Sequence, residues 1–263
     1  MSEAKVIAIT NQKGGVAKST TTVNLGVGLS KLGKKVLVID ADPQGSLSVS
    51  LGIRNPDELE ASLSTLMQSV IEDETLDKEN ILFHHEEGID LIPSNIELSG
   101  IEISLFNVMS RELILKNCIK HFKKSYDYIL IDCMPSLGLM TINALAAADS
   151  IIIPSQPNFL STKGLNLLLR SIAKVKRQIN PALSIDGILL TMVNGRTNNA
   201  KNISASLRES VGGGIRVFDT EIPHSVRIPE SSIEGKSIFA YDRNCKAAMT
   251  YEAFSKEVVS IEK

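Results

Sequence analysis

Residues 11–20 read Asn-Gln-Lys-Gly-Gly-Val-Ala-Lys-Ser-Thr, set between the apolar run Val6-Ile7-Ala8-Ile9 and a helical pattern carrying Val23, Leu25, Val27, Leu29 and Leu32. A buried strand, a glycine-rich turn and a helix with Lys-Ser at its start form the layout of a phosphate-binding loop. Gly14 and Gly15 let successive backbone N–H groups converge on an anion. The helix N-terminus adds unpaired N–H groups and the positive end of its dipole. The backbone of Gly14, Gly15, Val16, Ala17, Lys18, Ser19 and Thr20 is therefore the candidate phosphate cradle. Lys18 can reach the outer phosphates, and the Ser19 hydroxyl can ligate Mg²⁺.

The rest of the chain repeats the strand-then-helix theme. Val6–Ile9, Val36–Ile39, Tyr128–Ile131, Ile151–Ile153 and Ile188–Val193 read as strands apolar enough to be covered on both faces. Ile81–Phe83, Ile89–Ile92 and Ile215–Phe218 are shorter candidates. Helices are expected over Ser99–Phe122, Thr141–Ala148, Thr162–Ile179 and Cys245–Val259. Alternation of this kind implies an α/β fold, a doubly wound and mostly parallel sheet flanked by helices. No linker interrupts it, so 1–263 reads as one domain. In such sheets ligands bind beyond the carboxyl ends of the strands, and the conspicuous acids lie there. Asp40-Ala41-Asp42-Pro43-Gln44 closes the second strand, and Tyr128-Ile129-Leu130-Ile131-Asp132 is an apolar strand ending in a carboxylate. An acid at such a strand end can hold Mg²⁺ through water or orient an attacking water, which makes Asp40 and Asp42 candidates for these roles and Asp132 a candidate for the magnesium side.

Charge is divided unevenly. Residues 1–150 hold 13 Lys+Arg against 20 Asp+Glu, while residues 151–263 hold 15 against 10, so the second half is the one able to face a polyanion. With no Trp and few aromatics, contact with DNA would be made to phosphates rather than by base stacking. Cys118, Cys133 and Cys245 have no metal-type spacing, which fits a reducing cytoplasm. No apolar run reaches the ~18 residues of a membrane span, and the first strand begins too early for a signal peptide. Ala248, Tyr251, Phe254 and Val258 share one face of the last helix. That face reads as docked on the core rather than on a membrane, because Glu252, Glu257 and Glu262 oppose an anionic surface. His84-His85 reads as loop or edge surface, and Met134, Met140 and Met192 as core filler.

Lys13, ahead of the glycine pair, resembles the additional lysine of the deviant Walker A loop in the ParA/MinD family of P-loop ATPases. The match to Lys-Gly-Gly-x-Gly-Lys-[Ser/Thr]-Thr is complete except at Ala17. The carboxylate segment resembles that family's Asp-x-Asp-Pro-Gln, which implies that Asp42 positions the hydrolytic water and that Asp40 helps organise the magnesium shell. Glu221-Ile222-Pro223-His224-Ser225-Val226-Arg227 resembles the Ile-Pro-x-x-Val-Arg segment of its chromosome-type ParA, or Soj, branch. The resemblance spans essentially the whole chain and departs from the usual pattern again at Cys133-Met134-Pro135-Ser136. It implies a Mg²⁺-dependent ATPase, slow without its partner, that forms a homodimer with ATP and binds nonspecific DNA. In such a dimer Lys13 crosses to the partner's phosphates and joins Lys18 and Asp42 in catalysis. It also implies that Asn194 and Pro223 border the base and that Arg196 and Arg227 meet DNA. A ParB-like centromere-binding partner is implied, and no membrane. Two alternatives stay open: a MinD-like positioning ATPase at the membrane, and a low-turnover nucleotide switch. The second is raised by Ala17, whose methyl is strained if the loop needs positive φ there and merely crowds the phosphates if it does not.

Overall fold

The computed structural model describes residues 3–74, 79–157, 161–194 and 214–261. Among them, eight strands form one sheet in the order β3-β4-β2-β5-β1-β6-β7-β8. The strands are β1 (Lys5–Ile9), β2 (Val36–Ala41), β3 (Phe83–His85), β4 (Ile89–Ile92), β5 (Tyr128–Cys133), β6 (Ser150–Ser155), β7 (Ser184–Val193) and β8 (Val217–Pro223). All neighbouring pairs are parallel except β3–β4, a short antiparallel edge.

Parallel strands covered on both faces must send alternate side chains into two different cores, and these do. From β1, Val6 and Ala8 enter one hydrophobic cluster while Ile7 and Ile9 enter the other. From β5, Ile129 and Ile131 take the first side and Tyr128 and Leu130 the second. Each buried Val, Leu or Ile side chain among them contributes roughly 1.5–3 kcal/mol. The first core is covered by α3 (Leu63–Ile71), α4 (Leu98–Ser104), α5 (Ile114–Lys120), α6 (Leu139–Ala147) and α7 (Ser161–Gln178). The second is covered by α1 (Lys18–Lys31), α2 (Ser46–Ser50), α9 (Ile238–Tyr241) and α10 (Lys246–Ser260), with α8 (Arg227–Ile233) beside them.

The closing helix α10 docks on this second core: Ala248, Tyr251, Phe254 and Val258 are all buried. Phe254 meets Phe218 of β8 edge to face, with ring centroids 5.0 Å apart. No helix among the described residues is long and apolar enough to cross a membrane.

Several expectations need correction, among them the strand expected at Ile215–Phe218, which runs over Val217–Pro223. The stretch Ser99–Phe122 is not one helix. It breaks into α4, two short 3₁₀ turns and α5, with Val108 extended and Ser110 at φ 51, a left-handed conformation that no continuous helix tolerates. The strand expected at Ile81–Phe83 begins only at Phe83 and runs to His85, because Ile81 closes a 3₁₀ turn. Of the two histidines, His84 is exposed at the edge and paired with Asp90, but His85 is buried and reaches the Gly235 carbonyl at 3.3 Å.

Candidate active site

β1 ends at Ile9 and the chain crosses the carboxyl end of the sheet before entering α1 at Lys18. Two residues of this loop are left-handed. Gly15 has φ 69 and pays no Cβ penalty for it. Ala17, the N-cap of α1, has φ 65 and ψ 38. The open question at Ala17 is therefore answered on the side of strain, at about 1–2 kcal/mol for an L-residue with a side chain. The loop is braced from neighbouring strands. Asn11 Nδ2 donates to the Pro154 carbonyl at 2.8 Å, and the Thr191 hydroxyl donates to the Val16 carbonyl at 3.1 Å.

The two lysines sit differently. Lys18 is buried, and its Nζ donates to the Lys13 carbonyl at 3.3 Å. Burial pulls its pKa down, against the pull of Asp132, Cys133 and Asp42 in the other direction. Lys13 is half-buried and its Nζ donates to Gln156 Oε1 at 3.5 Å.

Opposite Lys18 stand the acids. Asp40 on β2 and Asp132 on β5 are register partners on adjacent strands, and both are fully buried. Asp40 accepts from the backbone N–H and the hydroxyl of Ser48, both at 2.8 Å. Its other oxygen accepts from the Asp42 N–H at 3.2 Å, and burial raises its pKa to about 6 despite these three bonds. Asp132 is pushed well above the ordinary carboxylate range, first by burial and then by Asp40, while the Ser19 hydroxyl and Lys18 act against the shift. The Thr22 hydroxyl approaches Asp132 Oδ1 at 3.4 Å. Asp42 lies past the end of β2, half-buried, with Oδ1 accepting from the Gln44 N–H at 3.0 Å. Gly45, at φ 62, turns the chain into α2 and so delivers Ser48 to Asp40.

Beside the loop lies a cleft of about 400 Å³, mainly apolar, whose lining includes Ala17, Thr20, Met192, Pro223, Val226 and Tyr251. Pro223 closes β8 and Asn194 directly follows β7, so both reach the same end of the sheet. Met192 is not core filler: it is 39% exposed, left-handed at φ 53, and forms part of this wall. Met140, by contrast, is buried and Met134 partly so.

The structure thus gathers Lys13 through Thr20, Asp40, Asp42, Asp132 and Pro223 at one end of the sheet. Arg227 stands at the start of α8, exposed, 3.3 Å from Glu230 and 3.7 Å from Asp242. Arg196 lies outside the described residues. Sequence reasoning missed Ser48, Thr22, Thr191 and Gln156. Only Gln156 carried a usable signal, as a polar residue just past the carboxyl end of an apolar strand.

A family model described as an AAA domain matches residues 4–185. The chain is 41% identical over 256 residues to the sporulation initiation inhibitor protein Soj of Bacillus subtilis, spanning 97% of this chain and 98% of that one. It is 37% identical over 262 residues to the chromosome partitioning protein ParA of Caulobacter vibrioides, spanning 98% and 95%. A solved structure from Mycobacterium smegmatis, described as cobyrinic acid a,c-diamide synthase with bound ADP and magnesium, matches with a TM-score of 0.83 and 32% identity, over 97% of this chain and 94% of that one.

Proposed function

The chain belongs to the ParA/Soj family of P-loop ATPases, and from that premise we propose that it is a DNA-partitioning ATPase whose site is completed across an ATP-bound homodimer. The observation that carries this reading is the meeting of Lys13, Lys18, Asp40, Asp42 and Asp132 at one end of the sheet beside an apolar cleft. The partition-named relative matches at 37% identity, against 32% for the synthase-named neighbour, which favours partitioning over amide synthesis.

The residues present fit Mg-ATP. Asp40 and Asp132 are buried with only partial charge compensation, and together with the Ser19 hydroxyl they offer oxygen donors alone. Among the described residues no cluster of three His, Cys, Asp or Glu makes a protein-only cage. That suits magnesium, which keeps waters and takes phosphate oxygens. When bound, the ion would neutralise charge on the outer phosphates.

The chain's own groups then divide the work. The backbone from Gly14 to Thr20 cradles the phosphates, and Lys18 lies across them. Asp42 is free enough of burial to orient a water. Lys13 serves the partner subunit's phosphates, neutralising charge as the phosphoryl group transfers. Pro223, Asn194 and the wall of the cleft border the base. Arg227, with Arg196, meets DNA phosphates. Its ion pairs to Glu230 and Asp242 are exposed and so worth little, and a phosphate can replace them. Residues 1–263 act as one ATPase domain, in the cytoplasm at the nucleoid, with a ParB-like partner stimulating turnover.

The docked apolar face of α10 favours DNA over a membrane surface. A switch of low turnover is the second reading, favoured by the strained Ala17. The test is hydrolysis of Mg-ATP alone, with random-sequence DNA, and with DNA plus the basic N-terminal segment of a ParB-like protein. Stimulation by the last combination is expected. No hydrolysis under any condition would leave the switch.

A further inference from the structure

Lys13 is held by its own subunit at three atoms. Its N–H donates to Asn11 Oδ1 at 3.0 Å, its carbonyl accepts from Lys18 Nζ, and its own Nζ donates to Gln156 Oε1 at 3.5 Å. The first two contacts fix the loop. The third is the one that must break if the side chain is to reach another subunit.

Gln156 is well placed to make that contact and to give it up. It follows β6, which pairs with β1 and so lies beside the loop. Its Nε2 donates to the Gly15 carbonyl at 2.9 Å, which leaves Oε1 turned toward the lysine. The orientation is set by chemistry, because a carbonyl only accepts and an ammonium only donates. The same Nε2 lies 2.9 Å from Met192 Sδ. Met192 in turn lines the cleft with Ala17 and Pro223. One amide therefore joins the lysine, the loop and the cleft wall.

We propose that Gln156 is a positioning residue that parks Lys13 against its own loop until ATP draws two subunits together. This rests on the reading that Lys13 acts across the dimer. The contact is long and neutral on the amide side, so it is readily exchanged for phosphate. A carboxylate at the same position would hold the ammonium far more strongly.

The test uses Q156A and Q156E. Both lose the amide N–H that braces Gly15, so monomer affinity for ADP falls by a similar factor in both. Their effects on assembly diverge. With Mg²⁺ and a non-hydrolysable ATP analogue, sedimentation should show Q156A dimerising at lower protein concentration than wild type, by about fivefold per latch released. Q156E should require higher concentration than wild type. Shifts in the same direction, or no shift in either variant, would overturn the latch. Failure of the wild type to dimerise with ATP would instead overturn the reading beneath it.

Discussion

Asp40 and Asp132 face each other as register partners on adjacent strands, two fully buried carboxyl groups with Lys18 as the neighbouring cation. Such a pair is costly to keep ionised without a metal, and that cost has a measurable pH dependence.

Asp40 has its pKa raised to about 6, whereas an unfolded Asp titrates at about 3.9. Between those values the folded protein holds a proton that the unfolded chain has released. The stability this group contributes is thus present below about pH 4 and is lost as pH rises through about 6. Asp132 extends the loss to higher pH. Asp40→Asn keeps an oxygen to accept from Ser48 but cannot ionise. In the nucleotide-free protein its stability relative to wild type should rise between pH 4 and pH 7 by on the order of 1–3 kcal/mol. Urea denaturation across pH checks this, and parallel curves for the two proteins would contradict it.

Ala17 stands at φ 65, where glycine carries no penalty. Ala17→Gly should raise the denaturation midpoint by the equivalent of about 1 kcal/mol with an unchanged m-value. A lower midpoint would show that the methyl's contacts in the cleft outweigh the strain. Turnover measured beside it separates the two functional readings, since a silent wild type rescued by glycine is the behaviour of a switch.

The last helix is part of the domain's core rather than a detachable arm. Phe254→Ala removes a fully buried ring stacked edge to face on Phe218. A loss of roughly 3–5 kcal/mol is expected, with binding of vesicles by the wild type absent. Stability unchanged within 1 kcal/mol would show that α10 undocks and would revive the membrane alternative.

Much of this was legible in the sequence because it is local. The strand–glycine–lysine–helix order, the acids at strand ends and the apolar runs each depend on a few consecutive residues. What was not legible depends on distant segments meeting. Ser48 finds Asp40 only because Gly45 turns the chain, and Gln156 finds Lys13 only because β6 pairs with β1. Apolar periodicity ran through 99–122 without marking the break at Ser110, whose left-handed backbone no composition rule announces. Met192 looked like filler because its exposure is set by the cleft, not by its neighbours in sequence.

Subunit mixing asks whether one site draws residues from two subunits. Lys13→Ala removes the lysine proposed to cross between subunits, and Asp42→Ala removes the acid proposed to orient the water while leaving Lys13 in place. Each variant alone should lose turnover by about 10²-fold or more. Asp42→Ala should still bind ATP and accumulate as a dimer. When the two are mixed before ATP is added, a mixed dimer contains one complete site: Asp42 and Lys18 from one chain, Lys13 from the other. Mixing should therefore restore a substantial part of wild-type turnover. A mixture in which tagged mixed dimers form yet hydrolyse ATP no faster than the separate variants would contradict a shared site.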